Sequence, residues 1–284
     1  MAASDTKMFT VPGVRGRGLA VTRVVRAGEL ILTAQPACMT VDRKHAPFTC
    51  ARCARYKALV EPRMPFCQCA ALCGTHYCSA ECREADGAFH NAHCAALVQL
   101  NANRVLKKQE TSHVRLLFSL LARSTCTGTS THAAVLGLMA EPSSVQGYTR
   151  RKRQRTTAAR AFIALLPSVE RVEGEAEDGG VGDVTALRDH LRISPAFRKI
   201  STLVALLARG PLNEFGLYTH EGETAGCGWY PSAAMVNSSC VPTTAVQLER
   251  SALHFYALKD MAIGEELTFS YSSITTRASA EGGG

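Results

Sequence analysis

Cysteines crowd one stretch of this chain: Cys50, Cys53, Cys67, Cys69, Cys73, Cys78 and Cys82, with Cys94 close behind. Thiolates paired at short intervals, with imidazole among them, form a soft ligand set that suits zinc. Cys50-Ala-Arg-Cys53 is a C-x2-C knuckle that points two sulfurs at one ion. Cys78 with Cys82, and His90 with Cys94, are each four apart, the separation that puts two side chains on one helical face. Cys69 with Cys73 supplies the last pair, and Cys67 with Cys73 is the alternative. Eight such ligands fill two closed tetrahedral sites with no open position, so two structural zinc ions are expected and neither is catalytic. His93 falls outside the pairing and is expected to be exposed.

The chain holds 12 cysteines, and their clustering argues against an evenly spread disulfide framework. A module of this size has little core of its own. Structural zinc contributes about 10–16 kcal/mol in finger peptides, which makes metal the organising force here.

The elements around the cluster change character along the sequence. Leu19, Val21 and Val25 fall near alternate positions, and Glu29–Val41 is a second extended stretch broken by Pro36. After Cys94 the period becomes helical. Ser112 is placed to cap a helix with Val114, Leu117, Phe118 and Leu121 on one face. Ser194 caps a second, with Pro195 in its first turn, Phe197, Ile200, Val204 and Leu207 on one stripe, and Gly210-Pro211 at its end. Ala245–Leu248, Leu253–Leu258 and Glu266–Tyr271 read as strands again. The fold class is therefore α+β, a strand-rich domain split by insertions whose two ends must meet in space. The segments are 1–48 and 211–276 for the split domain, 49–95 for the zinc module, 96–210 for a helical insert and 277–284 for a disordered tail.

The 284 residues carry a net charge of +8, and 46% of them are hydrophobic, the balance of a globular chain with acidic partners. No apolar run reaches the roughly 18–20 residues a membrane span needs. The N-terminus reads as neither secretory signal nor transit peptide, so cytoplasm or nucleus is expected. Arg150, Arg151, Lys152, Arg153 and Arg155 form a basic run. A solvated loop is the preferred reading, and nucleic acid the less favoured one, since no aromatic residue interleaves the run for base stacking. Glu170–Asp183 is acidic and glycine-bearing, an expected exposed loop.

The order C-x2-C, Tyr77-Cys78-Ser79-Ala80-Glu81-Cys82, His90-x3-Cys94 resembles the MYND finger, although Cys69-x3-Cys73 departs from the usual C-x2-C. Such fingers bind protein partners, often proline-rich peptides. Placed after the first strands, the finger makes the whole chain similar to the SET-MYND (SMYD) family of protein-lysine methyltransferases. Gly16-Arg17-Gly18-Leu19, Asn213-Glu214-Phe215, the segment Tyr230 to Pro242 and Gly264-Glu265-Glu266-Leu267-x3-Tyr271 match family motifs in the right order.

The resemblance implies S-adenosylmethionine as cofactor, held by Arg15, Gly16, Arg17, Gly18, Asn213, Asn237, Ser238 and Tyr271. It makes Tyr271 catalytic and Phe215 and Tyr271 walls of a lysine channel. An apolar channel suits the chemistry, because a free lysine has a pKa of about 10.4 and must lose its proton to accept a methyl group. Three departures stand out: Ser238 replaces a histidine, Thr243 replaces an asparagine, and Cys240 is the last cysteine, so the post-SET cysteines of a third zinc site are not among these residues. The expected function is protein-lysine N-methyltransferase. The alternative is a degenerate SET-MYND scaffold that binds partners through its finger.

Overall fold

Pro36 divides the extended stretch over Glu29–Val41 into two strands that serve different sheets. Proline lacks the N–H that a continuous ladder needs, so pairing stops on either side of it. The computed structural model describes residues 6–11, 16–57, 65–102, 112–127, 131–166, 195–219 and 221–271. They fall into two compact units. One draws on Met1–Pro36, Tyr218–Glu223 and Tyr230–Gly284, the other on Ala37–Leu217 and Thr224–Trp229. These units differ from the segments read in the sequence, and the finger shares a unit with the helices. The 277–284 tail, the Glu170–Asp183 loop and Ser194 lie outside the described residues.

The first unit is built from strands. Leu30–Ala34 pairs antiparallel with Ala252–Ala257, whose other edge takes Thr244–Glu249. Arg250 and Ser251 close that hairpin with φ of 45° and 67°, the left-handed pair of a type I′ turn. The Tyr230 hydroxyl donates to the Ser251 carbonyl at 2.9 Å and pins the turn from inside the core. Thr6–Val11 and Gly16–Val21 form a second antiparallel pair. Thr268–Phe269 runs parallel to Asn237–Ser238, with Thr268 opposite Asn237. The chain's early and late strands meet as expected: Leu267 N–H donates to the Leu19 carbonyl at 2.7 Å, and Val21 N–H to that of Glu265 at 3.0 Å. Val21, Val25, Tyr230, Val236, Phe255 and Leu267 are wholly buried beneath them.

The second unit centres on the helix Ser112–Thr127. The sequence predicts a one-sided apolar stripe, yet Leu116 and Leu120 are buried along with Val114, Leu117, Phe118 and Leu121. The strand Cys38–Val41 and the helices Ala80–Asn91, Thr131–Leu136 and Tyr148–Ala164 pack around it, which leaves it little polar face. Ser112 begins this helix instead of capping it, and its hydroxyl donates to the Asp42 carboxylate at 2.8 Å. Cys38–Val41 also pairs with Thr224–Trp229, and Glu214–Tyr218 lies on the far side of that strand.

Two further readings are corrected here. The basic run is helical, inside Tyr148–Ala164, and is not a loop. The helix predicted from Pro195 is two pieces, a 3-10 turn Pro195–Arg198 and an α-helix Ile200–Leu207, separated by Lys199 in extended backbone. That break shifts the phase, so Phe197, Leu203, Leu206 and Leu207 are buried while Ile200 is exposed. Among the described residues, no helix is long and apolar enough to cross a membrane.

Candidate functional site

The finger gathers two sets of four ligand atoms. Cys50, Cys53, Cys78 and Cys82 form one and Cys69, Cys73, His90 and Cys94 the other, with the ligand atoms of each set all within 4.8 Å of one another. Cys53 and Cys78 sulfurs lie 3.6 Å apart, as do those of Cys78 and Cys82, and Cys69 and Cys94 are 3.8 Å apart. A tetrahedron with Zn–S bonds of about 2.3 Å has edges of about 3.8 Å, so both sets fit zinc. His90 enters through Nε2, 3.1 Å from Cys69 and 3.7 Å from Cys73. Cys69 joins the second set, whereas Cys67 is exposed on the short strand Cys67–Gln68 and stands outside it.

Neither i, i+4 pair shares a helix, which differs from the sequence reading. Cys78 follows the strand His76–Tyr77, and Cys82 sits in the first turn of Ala80–Asn91. Ser79 accepts the Cys82 N–H at 3.3 Å as N-cap, and this cap turns the two sulfurs toward each other. His90 lies in the last turn of that helix, while Cys94 begins the next, Cys94–Ala102.

In each set one sulfur is held as thiolate. Hydrogen bonding from the Cys53 thiol draws Cys50 down to about 4. The Cys94 thiol, with His90, draws Cys73 down to about 3. A bound cation takes over the place of these shared protons.

Buried polar contacts stiffen the module. The Tyr77 hydroxyl donates to the Asp86 carboxylate at 2.9 Å inside the finger. Asn101 donates to the Cys73 carbonyl at 2.6 Å and accepts from Arg115 at 2.5 Å, which ties the second set to the central helix. His93, expected to be exposed, is half-buried instead, with Nδ1 2.7 Å from the Phe89 carbonyl and its ring edge-on to His90. Burial pulls its pKa down to about 4, so this ring stays neutral.

In the first unit, three segments named from the sequence converge. The Asn237 amide donates to the Arg17 carbonyl at 3.3 Å and to the Glu266 carboxylate at 2.7 Å. The Tyr271 hydroxyl donates to the Val236 carbonyl at 3.2 Å. Gly16 has a φ of 65°, which glycine adopts freely. A side-chain carbon on Gly18 would lie 2.8 Å from Phe9, 2.9 Å from the Asn237 amide and 3.0 Å from Glu266, so only glycine leaves room for the pair. Ser238 is exposed on the same short strand, and Arg15 lies outside the described residues. Tyr271 remains 58% exposed, with its ring 4.9 Å from that of Phe269.

Asn213 and Phe215 belong to the second unit. Asn213 is buried, and its amide donates to the carbonyls of Met139 and Arg209 at 2.8 and 2.7 Å. Phe215 is buried on Glu214–Tyr218.

Reasoning from the sequence passed over Glu266, although it stands inside a quoted motif, directly after Glu265 and just before the last strand. It also treated Thr243 only as a departure. The Thr243 hydroxyl donates to the Glu266 carbonyl at 2.9 Å and accepts the Thr268 N–H at 2.9 Å, while Thr243 N–H reaches the Thr268 hydroxyl at 3.0 Å. Thr268, a second hydroxyl two residues after Glu266, was the available signal.

Comparison with known proteins bears on both halves. The SET domain family profile matches residues 16–272. The human histone-lysine N-methyltransferase SMYD3 is 25% identical over 257 residues, which cover 90% of this chain and 53% of the relative. The Gallus gallus N-lysine methyltransferase SMYD2 is 26% identical over 266 residues, 93% of this chain and 52% of the relative. The chain thus spans about half the length of the curated relatives it matches. A solved SET domain of LSMT bound to lysine and AdoHcy aligns with 95% of this chain and 50% of its own, at a TM-score of 0.38 and 11% identity. The profile match runs through both strand-rich ends and the two zinc-competent groups inserted between them, so the chain belongs to the SET domain family, in its SET-MYND branch.

Proposed function

We propose that this chain is the S-adenosylmethionine-binding core of a protein-lysine N-methyltransferase. One observation carries the reading: within the first unit, Asn237 reaches both the Arg17 carbonyl, between Gly16 and Gly18, and the Glu266 carboxylate, and Tyr271 closes onto the residue before Asn237. A glycine-bearing strand end, a half-buried amide and a tyrosine hydroxyl on adjoining backbone form a donor and acceptor set that fits the polar arm of a nucleoside cofactor. When bound, S-adenosylmethionine supplies a methyl group activated by its sulfonium.

The chain's own part is positioning. Gly16 and Gly18 let the main chain approach closely, and Asn237 and Ser238 offer polar contacts beside it. The Tyr271 hydroxyl gives its proton to the Val236 carbonyl at 3.2 Å, which leaves its lone pairs free. Tyr271 therefore orients an amine through those lone pairs. The finger's two zincs are structural, and its surface receives a protein partner, with proline-rich peptides the class implied by the resemblance.

A second reading, a scaffold without catalysis, draws support from Ser238, which is exposed where the family carries histidine. Calorimetry with S-adenosylmethionine separates the two. Binding, followed by methylation of a protein mixture that Tyr271→Phe abolishes, supports the enzyme. No heat at millimolar cofactor sinks it, and equal labelling by both proteins removes Tyr271 from catalysis.

A further inference from the structure

Arg115 is a buried cation on the central helix without a carboxylate of its own. It is 9% exposed, and its guanidinium donates to the Asn101 side-chain carbonyl at 2.5 Å while Nε finds no acceptor. Among the described residues it makes no ion pair. Two carboxylates in its surroundings are engaged elsewhere. Asp42 accepts from the Ser112 hydroxyl at 2.8 Å. Asp86 lines the same cavity of about 70 Å³ as Arg115, but accepts from the Tyr77 hydroxyl at 2.9 Å. A guanidinium left dry and unpaired is costly, so its charge must be met by something else.

The contacts of Arg115 lead to a metal ligand. Asn101 donates in turn to the Cys73 carbonyl at 2.6 Å. Gly74 follows Cys73 with a φ of 83°, and a side-chain carbon there would lie 3.1 Å from the Asn101 amide and 3.9 Å from the Arg115 guanidinium. This glycine leaves the passage by which the pair reaches the ligand's backbone. Burial works against the Arg115 charge, and Arg43 adds to that, while the Cys73 thiolate and then Asp42 favour it.

The two ligand sets differ in their need for a cation. Four thiolates around zinc leave two negative charges, and three thiolates with an imidazole leave one. In the first set only Cys50 is buried, so water reaches the others and screens the charge. In the second set Cys73, His90 and Cys94 are all buried, where an uncompensated charge is far less tolerable.

We infer that Arg115 is the counter-ion of the zinc centre formed by Cys69, Cys73, His90 and Cys94, held there through Asn101. It sets how firmly this centre keeps its metal and leaves the Cys50 centre alone, as outer-shell partners of a metal do for the ligands they touch.

The full chain is prepared with cobalt(II) in place of zinc, because its d–d absorption differs between four-thiolate and three-thiolate, one-imidazole surroundings. Wild type, Arg115→Gln and Arg115→Lys are then challenged with graded chelator, and the two bands report which centre empties. Arg115→Gln, neutral but still able to donate, is expected to weaken the second centre by about tenfold or more and the first by less than about twofold. Arg115→Lys keeps the charge and should stay within about threefold of wild type at both.

Equal weakening of both centres would reduce Arg115 to a structural part of the module, and unchanged retention at both would remove its role. Arg115→Lys as weak as Arg115→Gln would assign the effect to the bond with Asn101 and overturn the counter-ion. If Arg115→Gln does not fold, Asn101→Ala, which releases the guanidinium from the Cys73 backbone, carries the test. Loss confined to the second centre then supports the inference, and loss at both or at neither overturns it. A wild-type chain that takes cobalt in the Cys50 set alone would instead overturn the second metal site, and this role with it.

Discussion

Arg155 holds Glu141 through a 2.7 Å hydrogen bond between side chains that are each about 5% exposed or less. Arg151, one helical turn earlier, takes the other carboxylate oxygen at 2.7 Å. Two cations four residues apart on Tyr148–Ala164 therefore clasp a single anion from the preceding segment, whose own N–H donates to the Ala208 carbonyl. The basic run is thus two different things. Arg155 is buried and Arg151, 28% exposed, leans in to the same carboxylate, while Arg150, Lys152 and Arg153 face outward.

That division predicts opposite outcomes within one run. Arg155→Met should cost about 3 kcal/mol by denaturant unfolding, because it leaves a buried carboxylate short of a partner. Neutralising Arg150 and Arg153 together should change stability by less than about 0.5 kcal/mol. A nucleic-acid titration of the Arg150 and Arg153 double variant that loses salt-dependent affinity would reinstate nucleic acid as a partner; equal titrations leave these residues as solvated surface.

Glu141 also gives a pH dependence with a definite sign. Burial works to raise its pKa, but Arg151 and Arg155 outweigh that and hold it below the ordinary value of 4.5. A depressed carboxylate contributes stability above the unfolded pKa and loses it as pH falls through the folded one. The melting-temperature gap between wild type and Glu141→Gln should be widest near neutrality and shrink below about pH 4.5. A gap that widens on acidification would contradict the pairing.

Elemental analysis reads the finger directly. Two zincs per chain are expected, as are two for Cys67→Ser, since Cys67 stands apart from both ligand sets. Cys69→Ser should lose one of them. The reverse pattern would make Cys67 the ligand. Chelation should unfold the finger, where metal outweighs core burial.

The hairpin at Arg250–Ser251 offers a stabilising change. Both residues have positive φ, which costs a branched-off side chain roughly 1 kcal/mol. Arg250→Asn should raise stability by about 0.5 kcal/mol or more in thermal or urea unfolding, as asparagine tolerates this region. A loss of stability would mean the turn has a different geometry in solution.

Gly18→Ala should be severe. The added carbon falls within 3.0 Å of three neighbouring side chains, and overpacking of that kind costs about 1–3 kcal/mol. It should also displace Asn237, so nucleoside binding is expected to fail even where circular dichroism finds the fold retained.

Ligand identity at the zinc sites was legible in the sequence, because metal binding depends on residue type and short spacing, both local properties. The order of strands and helices and the meeting of the chain's ends followed from periodicity in the same way. Choosing Cys69 over Cys67 was not local: both lie within seven residues of Cys73, and only the path of the turn decides which sulfur arrives. The basic run misled for a related reason. Charge is read along the chain, but burial depends on what packs above each residue, and Glu141 was needed to reveal two of those arginines as partners of one buried carboxylate. Asn237 shows the same limit most sharply. Its presence in a motif was visible in one dimension, while the two acceptors of its amide, the Arg17 carbonyl and the Glu266 carboxylate, come from distant segments that no periodicity announces.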